Sequence, residues 1–163
     1  MIGYDIIRFM KVKHLYLISI LLILDQLTKF IIDATMKLYE SIPVITNFFA
    51  ITYVRNTGAA WSILEGNMMF FYMITIVAVV LMVTFYKSSE CDWISEWGIA
   101  MMLGGTLGNF LDRLRLQYVI DFLDFNIFGY DFPVFNVADI CLCVGVGIII
   151  LSFLLEGVRK NEG

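Results

Sequence analysis

The sequence predicts an all-α transmembrane bundle of four helices, carrying a small extracytoplasmic β-sheet and a second external loop lobe. Three observations carry that expectation. Sixty per cent of the 163 residues are hydrophobic and 16 per cent are charged, with a mean hydropathy of +0.84, whereas soluble domains are roughly 25 per cent charged. Four segments approach the length of about 20 residues that a helix needs to cross the hydrocarbon core. Between the first two lies Phe48-Phe49-Ala50-Ile51-Thr52-Tyr53-Val54, whose β-branched and aromatic side chains suit one or more short strands.

The length fits a single integral membrane domain covering 1–163. Spans are expected near 15–32, 68–86, 94–111 and 136–155, leaving external segments 33–67 and 112–135. The first span follows Arg8, Lys11 and Lys13 and so resembles the start of a signal peptide. No small-x-small cleavage site follows, and Asp25-Gln26 interrupts where one would stand, so it is taken as an uncleaved span. The second, Met68 to Tyr86, carries no charge. Helices are required because an open sheet cannot satisfy its backbone in lipid. Arg8, Lys11, Lys13, Lys87, Arg159 and Lys160 fall on one side, and Lys37, Arg55, Arg113 and Arg115 on the other, with Lys29 near its boundary. The dense N-terminal cluster favours both termini in the cytoplasm. Trp61, Tyr86, Trp93, Trp97 and Tyr130 stand where interface anchors belong. Asn56 to Ser62 has the composition of a turn followed by small residues, and Phe128-Gly129-Tyr130 and Phe132-Pro133 are turn signals in the second external segment.

Several function classes drop out. The formal charge of −4 is spread along the chain, without the Lys/Arg clusters of a nucleic-acid footprint. Cys91, Cys141 and Cys143 form no CxxC pair, so they are expected to be small buried hydrophobes. His14 has no neighbouring histidine or cysteine with which to bind a metal. No phosphate loop, dinucleotide fingerprint, HExxH or nucleophilic serine arrangement is present.

The carboxylates are the informative residues, because an acid at the mouth of a membrane span is costly unless paired, hydrated or protonated. Asp121 and Asp124 lie among apolar residues, and Asp139 opens the last span. If Asp121 and Asp139 meet, they cannot both ionise easily, and a shared proton makes one a base and the other an acid. The other reading is that each caps a helix or marks a solvated boundary, and the residues alone leave both open. Asn109, Asp112 and Arg113 share one end of the third span, where an Asp beside an Arg is most simply an ion pair. Gly104 and Gly108 provide a face for close helix packing. Asp25 and Lys29, four apart, can neutralise each other, or bind a lipid or substrate head group. Arg55 and Asn56 are loop groups that could approach the site.

With those residues in view, the chain resembles the bacterial lipoprotein signal peptidases, also called signal peptidase II. The matching motifs are Asp25-Gln-x-Thr-Lys29, Asn56-x-Gly-Ala-Ala-Trp-Ser62, Gly104-Gly-x-x-Gly-Asn-x-x-Asp-Arg113, Val119-x-Asp-Phe122 and Phe135-Asn-x-Ala-Asp139, which cover nearly the whole chain. The resemblance implies an intramembrane aspartic endopeptidase with Asp121 and Asp139 as the catalytic pair. It also implies that Asn56, Asn109, Arg113 and Asn136 line the site, and that Asp25, Lys29, Asp112 and Gly58 support it. The implied substrate is a prolipoprotein signal peptide, cut just before a cysteine already bearing diacylglyceryl. No metal or organic cofactor and no nucleic acid is implied, and the partners are the lipidated precursors and membrane lipids, met by a monomer in the bacterial cytoplasmic (inner) membrane. One departure stands out: Gln117 occupies a place commonly held by glycine, so the turn after Arg113 either takes another path or does not need positive φ. Two rival classes are a transporter or channel, and a lipid- or peptide-binding module without chemistry. The clustering of polar residues at one membrane face and the uninterrupted second span count against the first rival.

Overall fold

A computed structural model of the chain describes residues 10–58, 66–88 and 91–161. Four helices run in alternating directions: α1 (Val12–Thr35), α2 (Met68–Lys87), α3 (Trp93–Leu116) and α4 (Val137–Asn161). The antiparallel strands β1 (Ser41–Ile45), β2 (Phe49–Asn56), β3 (Val119–Ile127) and β4 (Tyr130–Asp131) are ordered β1-β2-β3-β4. β1 and β2 lie in the α1–α2 connection and β3 and β4 in the α3–α4 connection, so the sheet sits at the bundle end where α1 and α3 finish and α2 and α4 begin.

Three helices, α1, α2 and Val137–Val158 of α4, are long and apolar enough to cross a membrane. Their outward faces are apolar, including Ile23, Leu27 and Phe30 on α1 and Ile76, Val80 and Leu81 on α2. The third helix is as long as α1, at 24 residues, but carries Glu96, Asp112, Arg113 and Arg115. It packs against all three other helices, so its polar groups have protein neighbours in place of lipid. Its helix continues through residues 112–116, expected from the sequence to lie in an external segment.

Glycines set how closely α3 is approached. A Cβ at Gly105 would overlap the Ala138 carbonyl oxygen, and one at Gly108 would lie 2.5 Å from Asp25 Oδ2. Gly104 and Gly108 do form one face, directed at α1, while Gly105 lets α4 in on another side. At the far end Asp92 caps α3 by accepting from Ser95 N at 2.8 Å, and accepts from Ser152 Oγ of α4 at 2.6 Å.

Several expectations need correcting. β3 is a strand within what the sequence marks only as an external segment: Val119, Ile120, Asp121 and Phe122 are buried in succession, which erases the alternation that marks a half-exposed strand. Cys141 is buried, but Cys91 is half-buried and Cys143 exposed. Trp93 and Tyr130 are exposed, whereas Tyr86 is buried at the other end from the sheet, where its hydroxyl contacts His14 Nδ1 at 2.7 Å. Residues 59–65, with Trp61 and Ser62, lie outside the described residues, as do Arg8 and the side chains of Arg159 and Lys160. Gln117 does adopt positive φ, at 65°, despite its side chain. Its Nε2 donates to Tyr72 Oη at 2.7 Å and to the Arg113 carbonyl at 3.0 Å, which offsets part of the left-handed strain of roughly 1–2 kcal/mol.

Candidate active site

Asp121 and Asp139 arrive from different elements. Asp121 is the third residue of β3 and is 3 per cent exposed. Strand alternation turns Val119 and Asp121 into a cavity of about 650 Å³, while Ile120 and Phe122 pack with Ile32, Met36 and Tyr53. Asp139 stands in the first turn of α4 and lines the same cavity.

Asn136 joins the two. Its Nδ2 donates to Asp121 Oδ1 at 2.6 Å. Its Oδ1 accepts from Asp139 N at 3.1 Å, and its own N–H donates to Asp139 Oδ2 at 3.1 Å. That reciprocal pair is a capping box, with Asn in place of Ser and Asp in place of Glu. Asp139 therefore does cap its helix, as one sequence reading held, and its Oδ1 still accepts from Asn109 Nδ2 at 2.8 Å. On the other flank Asn56 Nδ2 donates to Asp121 Oδ2 at 2.9 Å, while Asn56 Oδ1 accepts from Gly58 N at 2.9 Å. Burial, and after it the charge of Asp139, push the Asp121 carboxyl up to about 7, against the lowering effect of the Asn56 and Asn136 amides.

Behind this layer lies a second cluster. Lys29, 2 per cent exposed, directs Nζ to Asp25 Oδ2, Asp112 Oδ2 and Asn109 Oδ1, each at 2.9 Å. The three contacts match the three protons of an ammonium. The remaining carboxylate positions are also filled: Asp25 Oδ1 accepts from Ala138 N at 3.0 Å, and Gln26 Nε2 donates to Asp112 Oδ1 at 2.9 Å. Asn109 carries the connection forward, since its Oδ1 binds Lys29 and Asn136 Nδ2 while its Nδ2 binds Asp139. Arg113 lines the cavity, donates from Nη2 to the Gly58 carbonyl at 3.0 Å, and lies 4.4 Å over the Phe71 ring. Its buried Nε has no hydrogen-bond partner among the described residues.

All the described candidates except Arg55 and Asp124 converge. Arg55 sits on the opposite face of β2 from Asn56, where it contacts Tyr53 Oη at 2.8 Å and Asp33. Asp124, three residues beyond Asp121, leaves the site and accepts from Thr52 Oγ1. Asn56 is the last residue of a strand, not part of a loop. The sequence reading gave no role to Gln26, Phe71 or Tyr72; for Gln26 the available signal was a polar side chain inside an apolar helix. Among the described residues no three His, Cys, Asp or Glu side chains are grouped as metal ligands.

A bundle with three membrane-crossing helices and a buried polar site at one end defines a multi-pass membrane protein with its working groups near one membrane face. The family model described as signal peptidase (SPase) II matches residues 17–155. The lipoprotein signal peptidase of Staphylococcus haemolyticus strain JCSC1435 is 48% identical over 158 residues, covering 93% of this chain and 100% of that protein. That of Staphylococcus aureus strain JH9 is 47% identical over 141 residues, 86% of each. A bacterial membrane enzyme solved by the in meso method at 2.3 Å superposes with a TM-score of 0.86 at 43% identity, covering 93% of both chains. A second, solved at 1.9 Å, gives 0.79 at 45% identity, covering 87% of this chain and 92% of that one. The chain belongs to the signal peptidase II family of membrane hydrolases.

Proposed function

We propose that this protein is an intramembrane aspartic endopeptidase that removes the signal peptide from diacylglyceryl-modified prolipoproteins, cutting immediately before the lipidated cysteine. The observation that carries the reading is the single asparagine, Asn136, hydrogen-bonded to both Asp121 and Asp139 at the wall of one cavity.

The reaction runs as water addition to an amide. One ionised aspartate takes a proton from water as the oxygen attacks the scissile carbonyl carbon. The protonated partner donates a hydrogen bond to the carbonyl oxygen as it gains charge. The tetrahedral intermediate then releases the cysteine amine, which takes up a proton as the C–N bond breaks. Burial, and after it the charge of Asp139, raises the Asp121 carboxyl to about 7, so a proton is available to the pair near neutral pH. Asn56, Asn109 and Asn136 hold both carboxylates without supplying charge, and Arg113 and Gly58 border the substrate. Phe132, Ile140, Leu142 and Val144 give the cavity an apolar wall suited to a signal segment and acyl chains.

The protein acts as a single membrane domain and a monomer in the bacterial cytoplasmic membrane, with both termini cytoplasmic. Lys11, Lys13 and Lys87 lie at the bundle end away from the sheet, which supports a site near the extracytoplasmic face. Mass spectrometry of a lipidated precursor incubated with the purified protein tests the reading. Cleavage before the lipidated cysteine, lost in Asp121→Asn and in Asp139→Asn, is expected. Wild-type turnover in either variant removes the dyad, ion flux in proteoliposomes without hydrolysis favours a transporter, and tight binding without product favours a binding module.

A further inference from the structure

Thr106 presents a hydroxyl that the protein itself does not use. A threonine inside a helix commonly donates to the carbonyl four residues back, and Thr28, Thr35 and Thr75 do so here at 2.9, 2.7 and 2.7 Å. Thr106 makes no hydrogen bond with any described residue, although it lines the cavity shared by Asp121 and Asp139. Thr84 is the other helical exception, but it lies exposed near the end of α2. Around Thr106 the cavity wall is mostly apolar, with Leu142, Cys143 and Val144 contributed by α4. Thr106 is half-buried, so its hydroxyl is open to the cavity and free to bond a molecule that enters it.

Its depth bears on which part of a substrate could reach it. Thr106 precedes Asn109 by three residues, about 4.5 Å along the helix axis, and the Asn109 amide marks the level of Asp139. Thr106 therefore lies about one turn deeper in the bundle than the carboxylates. A helical segment must open before its amide bond can be attacked, and each N–H withdrawn from the helix orphans a carbonyl four residues upstream. On the substrate's signal side that carbonyl lies about one turn further into the membrane, where water is scarce and an unbonded carbonyl is expensive.

We infer that Thr106 is a substrate-positioning residue, whose hydroxyl donates to a backbone carbonyl orphaned when the signal helix opens. The inference rests on the peptidase reading above. The contact forms only with the opened segment, so it lowers the barrier without strengthening binding of the closed helix.

The test is steady-state cleavage of a lipidated precursor by wild type, Thr106→Val, Thr106→Ala, Thr106→Ser and Asp139→Asn, with thermal unfolding measured for each. Valine keeps the shape and removes the hydroxyl. Expected is a kcat lowered roughly tenfold in the valine and alanine variants with KM unchanged, and a serine variant within about twofold of wild type. Near-wild-type kcat in both the valine and alanine variants, with Asp139→Asn inactive, overturns this role and leaves the peptidase reading standing. An equal loss in serine and valine overturns it too, because the hydroxyl would then be irrelevant. Absence of cleavage by wild type removes both.

Discussion

Two pairs of carboxylates, all buried except the half-buried Asp139, lie one asparagine apart, and they are treated in opposite ways. Asp25 and Asp112 share the ammonium of Lys29, with Gln26 and backbone N–H groups completing their shells. Asp121 and Asp139 receive hydrogen bonds from the neutral amides of Asn56, Asn109 and Asn136, and neither makes an ion pair among the described residues. The first arrangement compensates charge and fixes three helices against one another. The second holds its carboxyl groups through neutral amides with no direct ion pair, and Asp121 there is raised to about 7 by burial and the charge of Asp139. Coulombic attraction from Arg113 reaches both aspartates, but its Nη2 hydrogen bond goes to the Gly58 carbonyl.

Breaking either half should give different losses. The largest expected effect is on chemistry: Asp121→Asn or Asp139→Asn lowers the cleavage rate by about 10³-fold while the fold survives, measured as turnover beside thermal unfolding in detergent. Lys29→Met should instead act on stability, costing about 3–5 kcal/mol because two buried carboxylates lose their cation. A large drop in Tm checks it, and an unchanged Tm would mean that the pair is not compensated as described.

Acidity sharpens the contrast at the next scale. Asp121 binds its proton more tightly in the folded protein, up to about 7, than in the unfolded chain near 3.8. Its contribution to stability is therefore full below about 4 and is lost as pH rises through about 7. Activity that needs one shared proton should fall above about pH 7, by up to about tenfold per unit. A pH profile of kcat/KM tests this, and a flat profile from 6 to 9 would contradict it. The smallest effect is expected at Gln117→Gly, which relieves left-handed strain but removes the bonds to Tyr72 and Arg113. Stability should change by less than about 1 kcal/mol, which thermal unfolding can resolve.

How much of this was legible in the sequence depended on whether the physics was local. The pairing of Asp25 with Lys29 follows from a four-residue spacing, and the packing face of Gly104 and Gly108 follows the same way. Strand β2 is visible in its composition, whereas β1 contains Pro43 and is exposed throughout, and β3 is buried at its start on both faces. Neither has a two-residue rhythm to read. The convergence of Asp121 with Asp139 rests on register across β2 and β3 and on Asn136, which no spacing rule reports; it came from resemblance. Arg55 misled because a loop was expected where a strand sends alternate side chains to opposite faces.

The capping box at the start of α4 also has a bearing on biogenesis. Asp139 and the bridging Asn136 both come from the beginning of the final helix, whose Ala138 N–H is received by Asp25 of the first. A nascent chain inserted only as far as residue 135 holds Asp121, the lysine cluster and all four strands, yet lacks half of the proposed dyad and the amide that orients the rest. On that reading the site is completed only when the last segment docks.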